Sequence, residues 1–177
     1  MPKKVLVILS HPYIQYSFTH QHLAKQLENI SNVTVRHIDQ LPRIGDHFDH
    51  KIEQALWDDA DTIVLEFPMY WYHGPASLKQ YLDDVLTTDW AFEGAHKLAG
   101  KNLQIITTTG GLESEYKPGG DHGFSISEVL TPFKATANIT KMTYLPEIVI
   151  YAAKLQAEAA LEIELVEVVS KIQALTK

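Results

Sequence analysis

The sequence contains no cysteine. A disulfide framework, a thiolate metal site and a cysteine nucleophile are therefore excluded. No apolar run approaches the length of about 20 residues that a membrane-spanning helix needs. The apolar stretch at residues 5–9 is too short for the apolar core of a signal peptide, and no small-residue cleavage site follows it. We therefore expect a cytoplasmic protein.

Basic residues are too few to suggest a nucleic-acid partner. The chain has 15 lysines and arginines against 22 aspartates and glutamates, which gives a net charge of −7 with histidine neutral. Phosphate neutralisation needs a clustered basic surface, and none is visible, so we expect no nucleic-acid partner. The acidic balance is compatible with a basic protein partner but does not demand one.

Several short motifs of phosphate binding and catalysis are also missing. The sequence has no G-x-G-x-x-G, no phosphate-loop lysine pattern, no G-x-S-x-G and no H-E-x-x-H. A pyrophosphate on a glycine-rich turn, a serine hydrolase and a zinc protease are therefore disfavoured. Histidine is abundant, and residues 46–50 (D-H-F-D-H) have the close spacing of metal ligands. This cluster lies where a helix N-terminus would take aspartate in any case, so we expect no metal site.

The pattern of apolar residues predicts alternating strands and helices. Apolar, β-branched runs predict five strands, at residues 4–9, 33–38, 62–67, 103–108 and 147–151. Helical patterns begin after Ser17 and cover residues 51–60, 76–85, 127–138 and 153–175. This alternation predicts an α/β fold in which a parallel sheet carries helices on both faces. No linker or repeat divides the chain, so we expect one doubly wound domain over residues 1–177, with ligands at the carboxyl ends of the strands.

The loop after the first strand leads into a helix N-terminus. Ser17 is a candidate N-cap, and Ser17 and Thr19 bring hydroxyls to the free N–H groups and the positive dipole end of this helix. A single phosphate fits such an arrangement. His11 could add a donor to a phosphate or a ribityl chain. Two alternatives stay open: Ser17 could serve only as a cap, and His11 could be an exposed loop residue.

The loop after the third strand is unusually aromatic. Tyr70, Trp71 and Tyr72 stand in a row between Pro68 and Pro75, where a solvated connection would normally be polar. Aromatic rings and a rigid backbone can line a slot for a planar ligand. The alternatives are a loop folded back onto the core and an oligomer contact.

The loop after the fourth strand combines small residues with two candidate donors. Residues 107–111 (T-T-T-G-G) would let the backbone approach a flat ligand closely, although an ordinary turn would look similar. Tyr116 and His122 follow in a loop that could fold over the site. Both can donate hydrogen bonds, and histidine can change protonation near neutral pH.

The order of these motifs resembles the flavodoxin-like NAD(P)H:quinone oxidoreductase family. The resemblance rests on V-L-V-I-L-S-H-P at residues 5–12, the hydroxyl-bearing segment 17–20, F-P-M-Y-W-Y-H-G-P-A-S-L-K at 67–79, T-T-G-G at 108–111 and G-D-H-G at 120–123. It spans nearly the whole chain, and the F-P-x-Y-W motif followed by P-A-x-L-K is its most specific part. The resemblance implies a three-layer sandwich around a five-stranded parallel sheet of order 2-1-3-4-5.

The resemblance also implies a flavin cofactor and a homodimer. NAD(P)H would reduce the flavin and leave, and a quinone or similar acceptor would then take the hydride. FMN is favoured over FAD because the C-terminal extension of the longer FAD enzymes is lacking. Tyr116 and His122 would stabilise negative charge during transfer, and Trp71 and Tyr72 would line the acceptor pocket. The residues implied to hold the cofactor are His11, Ser17, Phe18, Thr19, His20, Pro68, Met69, Tyr70, Trp71, Thr108, Thr109, Gly110 and Gly111.

One position departs from the family pattern. Many relatives have asparagine as the fourth residue of the phosphate loop, where this chain has His20. Imidazole can donate one hydrogen bond, so phosphate binding could survive the exchange. Because the family includes ancillary subunits of glutathione-gated potassium efflux antiporters, a regulatory subunit bound to a membrane transporter is a second hypothesis. A flavodoxin-type electron carrier is a third.

Overall fold

Parallel strands form the sheet at the centre of the molecule. The structure is a computed structural model, and it describes residues 2–177. Its strands are β1 (Val5–Leu9), β2 (Val33–His37), β3 (Thr62–Pro68), β4 (Asn102–Thr108), β5 (Thr143–Tyr144) and β6 (Ile148–Ile150). They lie in the order β2-β1-β3-β4-β5, with β6 also paired to β4, and every pairing is parallel. The predicted order 2-1-3-4-5 is confirmed.

The fifth position of the sheet is divided between two short strands. β5 pairs with the start of β4, at Asn102 and Leu103, whereas β6 pairs with its end, from Ile106 to Thr108. Pro146 lies between the two strands and has no N–H with which to continue the ladder. The single strand predicted at residues 147–151 is therefore corrected to three residues preceded by a separate two-residue strand.

Helices cover both faces of the sheet. They are α1 (Phe18–Leu27), α2 (His50–Asp59), α3 (Ala76–Val85), α4 (Thr88–Ala91), α5 (Ile126–Val129), α6 (Thr131–Ile139) and α7 (Glu158–Ala174). Three short 3-10 turns occur at Ile14–Tyr16, Ile38–Gln40 and Glu113–Glu115. Within residues 2–177, no helix combines the length and the apolar composition that crossing a bilayer requires.

The side chains of β1 alternate between two apolar cores. Leu6 and Ile8 point to the core formed with α2, α3 and α6, which also contains Trp57, Tyr81 and Phe133. Val5 and Val7 belong to a second core, whose helical members are Leu23, Leu27, Leu161, Leu165, Val168 and Ile172 of α1 and α7. This alternation is the period of two that a strand covered on both faces produces.

Three helix predictions are corrected by the structure. The helix predicted at 127–138 is two helices that meet at Leu130, because Pro132 fits only within a first turn. The last helix begins at Glu158 rather than at residue 153, and α4 lies at residues 88–91, where no helix is predicted.

The buried face of α2 carries an acidic residue. Ile52 is 53% exposed, whereas the carboxylate-bearing Glu53 is only 2% exposed. Glu53 is buried because it accepts hydrogen bonds from Arg36, with Nη2 2.6 Å away, and from the hydroxyl of Tyr81 at 3.1 Å. Paired charge therefore outweighs the hydrophobicity of the neighbouring isoleucine.

Candidate active site

Three loops leave neighbouring strands at one edge of the sheet. β1, β3 and β4 are adjacent and parallel, so their carboxyl ends lie side by side. The ladder continues one residue into the first two loops: Ser10 N–H donates to the Glu66 carbonyl and Met69 N–H donates to the Thr108 carbonyl, both at 2.9 Å. The sequence prediction that these loops converge is confirmed by this register.

The first loop presents His11 as a neutral hydrogen-bond donor. Its backbone N–H donates to Asp39 Oδ2 at 2.7 Å, and its ring Nδ1 accepts the N–H of Tyr13 at 3.2 Å. Burial, with the nearby His20 as a second cause, lowers the pKa of His11 to about 4. A neutral ring whose Nδ1 accepts carries its proton on Nε2, which leaves that N–H free to donate to a ligand.

The N-terminus of α1 offers unpaired backbone donors. Ser17 caps this helix as predicted, because its Oγ accepts the N–H of His20 at 3.3 Å. The N–H groups of Phe18 and Thr19 donate to no other group in residues 2–177. The ring of Phe18 stacks on His22 with centroids 3.8 Å apart, so Phe18 can serve a ligand only through its backbone. Free N–H groups at a helix N-terminus are suited to an anion.

His20 does not face the anion-binding N–H groups. Its residue is 1% exposed, and its ring nitrogens are both occupied: Nδ1 lies 3.0 Å from Glu66 Oε1 and Nε2 lies 3.1 Å from Thr108 Oγ1. The expectation that the His20 imidazole donates to a phosphate is therefore wrong. The ring points into the sheet because a fully buried carboxylate on β3 requires a partner.

The aromatic loop after β3 is a two-residue hairpin. Tyr70 and His73 exchange backbone hydrogen bonds of 2.7 and 3.1 Å, and the two residues between them have positive φ, 48° at Trp71 and 66° at Tyr72. Both angles lie in the region that favours glycine or asparagine. Pro68 ends β3, so the rigid turn starts directly at the sheet edge.

The two rings predicted to line the acceptor pocket have different surroundings. Tyr72 is 45% exposed and borders a cavity of about 540 Å³, which is also lined by His122, Phe124, Glu128 and Val129. Trp71 is 93% exposed and is absent from the lining, so within one chain it forms no pocket wall.

The third loop is held firmly at its start and is open in its middle. Thr109 is fixed by three contacts: its N–H donates to the Ile150 carbonyl at 3.0 Å, its hydroxyl donates to the Gly111 carbonyl at 2.8 Å, and its Oγ1 lies 3.4 Å from Ala152 N. Its hydroxyl is thus committed to the turn. Gly110, by contrast, has no atom within 4 Å of where a Cβ would stand. A flat ligand could pack there against bare backbone.

Tyr116 and His122 lie together over this loop. Their rings stack with centroids 4.0 Å apart and planes inclined by 23°. His122 Nδ1 is 3.4 Å from the Tyr72 hydroxyl, and its Nε2 is 3.8 Å from Glu115 Oε2. The structure therefore brings the two predicted catalytic residues together, and His122 also lines the cavity that Tyr72 borders.

Two residues of this region were missed by sequence reasoning. Glu66 was read as part of a buried apolar strand, although a lone acid inside such a run is a signal in itself. Phe124 is 61% exposed and lines the cavity, although its loop has no pattern that would single it out. The histidine cluster at residues 46–50 has a structural place, since His47 Nδ1 lies 2.8 Å from Asp84 Oδ1 and joins the loop to α3.

Two relatives are similar in sequence over most of the length of this chain. The uncharacterized NAD(P)H oxidoreductase YrkL of Bacillus subtilis (strain 168) is 41% identical over 145 residues, which are 81% of this chain and 82% of YrkL. The glutathione-regulated potassium-efflux system ancillary protein KefG of Cronobacter sakazakii (strain ATCC BAA-894) is 38% identical over 156 residues, 87% of this chain and 84% of KefG.

Solved structures and a family model agree with the fold. General stress protein 14 of Treponema denticola, solved in complex with FMN, has a TM-score of 0.90 and 31% identity over 97% of this chain and 99% of its own. An NADPH-quinone reductase from P. pentosaceus has a TM-score of 0.85 and 37% identity over 98% of each chain. The family model Flavodoxin_2, described as a flavodoxin-like fold, matches residues 3–172. The chain belongs to this flavodoxin-like family, as the resemblance of its motifs indicated.

Proposed function

We propose that the chain is a flavin-dependent NAD(P)H oxidoreductase that passes two electrons through bound FMN to a quinone or a similar acceptor. The observation that carries the proposal is the convergence of an anion-binding helix N-terminus, an open glycine loop and an aromatic cavity at one sheet edge. The similarity to an FMN complex and to an NADPH-quinone reductase supports it. FAD remains the alternative cofactor.

The residues present fit the phosphate end of FMN. The free N–H groups of Phe18 and Thr19 and the positive end of the α1 dipole would hold the phosphate, with the Ser17 hydroxyl beside them. The Nε2–H of His11 would donate to the phosphate or the ribityl chain, because its Nδ1 is already an acceptor. His20 would hold the phosphate only indirectly, from beneath.

The flat part of the cofactor fits the other two loops. The backbone of Pro68, Met69 and Tyr70 would border one edge of the ring system. The hairpin fixes the direction of this backbone. The segment from Thr108 to Gly111 would pack along it, with Gly110 contributing bare backbone. Trp71 and Tyr72 would face the acceptor side, and for Trp71 this requires a covering surface from outside the chain.

FMN, when bound, supplies the chemistry of accepting a hydride from NAD(P)H and of delivering two electrons to an acceptor. The chain's own contribution is to orient and to stabilise charge. Tyr116 and His122 would place hydrogen-bond donors where negative charge develops, and Tyr72 would fix the ring of His122 through the contact at 3.4 Å. Phe124 and Val129 would exclude water from the acceptor cavity.

Purified protein tests the proposal directly. We expect the full chain to bind FMN at one molecule per chain, with FAD as the comparison, and to be reduced anaerobically by NADH or NADPH. Reoxidation by a quinone without accumulation of a one-electron form would separate this activity from that of a flavodoxin-type carrier. A chain that binds neither flavin ends the proposal.

A homodimer is part of the proposal. Tyr16, Trp71 and Phe124 are 84%, 93% and 61% exposed, and all three follow the carboxyl ends of strands. Large exposed rings at one edge mark an interaction surface. A second copy lying over this edge would complete the wall that Trp71 leaves open. Sedimentation of the wild-type chain and of Trp71→Ala tests this: we expect a dimer for the first and weaker association for the second.

A second candidate function is regulation of a potassium efflux system. It is favoured by the 38% identity to an ancillary protein of such a system. The net charge of −7 would suit a basic docking surface on a transporter. A variant that binds FMN but transfers no hydride distinguishes the two functions: it should still activate efflux if regulation is the function, and it should be inert if catalysis is.

A further inference from the structure

A buried acid–imidazole pair underlies the cofactor site. The side chains of Glu66 and His20 are 0% and 2% exposed, and Glu66 Oε1 lies 3.0 Å from His20 Nδ1. The second oxygen, Glu66 Oε2, is buried and has no hydrogen-bond partner in residues 2–177. A buried carboxylate with one N–H contact and an orphaned oxygen is costly unless a positive charge neutralises it.

The other end of the imidazole reaches a residue of the site. His20 Nε2 lies 3.1 Å from Thr108 Oγ1, at the end of β4. If Nε2 carries no proton, the Thr108 hydroxyl has to donate its hydrogen to the ring. If Nε2 carries a proton, Thr108 Oγ1 accepts, and its hydrogen is free to point elsewhere. The proton on His20 Nε2 therefore decides whether Thr108 can donate to a ligand, and an imidazolium always carries that proton.

The groups that face His20 favour the charged ring. Glu66 on β3 makes the direct contact, and His11 lies edge-on with ring centroids 5.0 Å apart. His11 is neutral near pH 7 because burial and His20 lower its pKa to about 4. Asp39 accepts a hydrogen bond from the backbone N–H of His11. The positive charge of Lys154, which follows β6, also lowers the pKa of His11. The nearest charge to the imidazole is thus the negative charge of Glu66.

We propose that Glu66 holds His20 as an imidazolium whose Nε2–H donates to Thr108 Oγ1, so that the Thr108 hydroxyl donates into the cofactor site. His20 and Glu66 are then positioning residues, which set the direction of a hydrogen bond made by Thr108. The imidazolium also places a positive charge beneath the helix N-terminus that would hold the phosphate. This inference rests on the proposed function for the identity of the ligand, but the proton arrangement is a property of the chain alone.

The first test is the nitrogen NMR spectrum of the histidine rings in the full chain, without and with FMN. The His20 signals are those missing from His20→Asn. We expect both ring nitrogens to be protonated near pH 7, and Glu66→Gln to leave a neutral ring with only one protonated nitrogen. An unprotonated Nε2 in the wild-type chain, or an imidazolium that persists in Glu66→Gln, overturns the inference. This result is independent of whether FMN binds.

The second test is the Kd for FMN of the unliganded chain. Thr108→Val should raise this Kd about five- to tenfold by removing one hydrogen bond, whereas Thr108→Ser should restore wild-type affinity. Glu66→Gln should raise it similarly, and the double variant Glu66→Gln/Thr108→Val should be no weaker than the worse single variant. Additive losses, or no loss in Thr108→Val, overturn the inference. If the wild-type chain does not bind FMN, the result refutes the proposed function instead.

Discussion

The rings of Tyr116 and His122 stack with their centroids 4.0 Å apart, although five loop residues separate the two in the chain. Tyr116 is 9% exposed, and burial raises the pKa of its phenol, so the hydroxyl keeps its proton at neutral pH. The imidazole Nδ1 contacts the Tyr72 hydroxyl at 3.4 Å, and its Nε2 lies 3.8 Å from Glu115 Oε2, beyond hydrogen-bonding distance. The two side chains are thus packed against each other, with the phenol as a hydrogen-bond donor.

This pair should act on hydride transfer and not on flavin binding. We expect His122→Asn and Tyr116→Phe each to slow the reductive half-reaction about ten- to hundredfold, because stabilisation of developing charge is lost. Stopped-flow absorbance with NADH and NADPH measures the rate, and a titration measures the Kd for FMN. Tyr151→Phe is the matched control, since its ring lies 5.8 Å from Tyr116 and does not touch His122. If all three variants were reduced at the wild-type rate, the pair would have no part in the mechanism.

The two adjacent glycines of the third loop should respond differently to alanine. A Cβ on Gly111 would overlap His122 Nε2 and Glu115 Oε2, whereas one on Gly110 would meet nothing within 4 Å. Gly111→Ala should therefore displace the loop that carries Tyr116 and His122 and lower kcat about ten- to hundredfold, because misplaced donors act poorly.

Gly110→Ala should leave the unliganded chain as stable as the wild type, because its Cβ has room. It should raise the Kd for FMN about tenfold, since the added methyl group would enter the volume assigned to the cofactor. Urea unfolding and flavin titration make the comparison. Identical behaviour of the two variants would contradict the placement of FMN along this loop.

The aromatic hairpin stores backbone strain. Trp71 and Tyr72 hold φ of 48° and 66°, which asparagine and glycine adopt more easily. The double variant Trp71→Asn/Tyr72→Gly should gain about 1–2 kcal/mol in the free energy of unfolding but lose kcat/KM for a quinone. Lys141→Gly is the matched control: its φ is 60°, it lies after α6, and it should gain stability with unchanged kcat/KM. A stability gain without loss of activity in the hairpin variant would show that the strain serves no function.

His11 should make the unliganded chain less stable as the pH falls. In the unfolded chain His11 takes up a proton near the ordinary histidine pKa of 6.5. In the folded chain it does so only near its lowered pKa of about 4. Stability is thus unaffected above the unfolded value and is lost as the pH falls from there towards 4. His11→Asn should reduce the difference in unfolding free energy between pH about 7 and about 5. The exposed His50→Asn is the control, and an equal reduction in both variants would contradict the assignment.

The parts of the fold that sequence predicted are those set by local pattern. Apolar runs placed β1, β3 and β4, and the three unusual loops were located because each follows such a run. The division between β5 and β6 was harder to foresee, because two- and three-residue strands carry little periodic signal. Proline at position 146 marked the interruption but not the pairing on its far side.

The parts that sequence missed depend on partners distant in the chain. His20 reads equally well as an outward donor or an inward one, and only Glu66, 46 residues away, decides between them. Glu53 is likewise buried on α2 in place of Ile52 because Arg36 and Tyr81 lie opposite. Trp71 is predicted to line a pocket because of its residue type, whereas the structure leaves it 93% exposed, and no sequence pattern indicates its positive φ.

The visible absorption spectrum of the full chain, titrated anaerobically with FMN and then with NADPH or NADH, tests the central claim most directly. The account predicts saturable binding of one FMN per chain, loss of the flavin absorbance on addition of the reduced nicotinamide, and its return when a quinone is added. A chain that leaves FMN free in solution, or that binds it but is not reduced by either nicotinamide, contradicts the account.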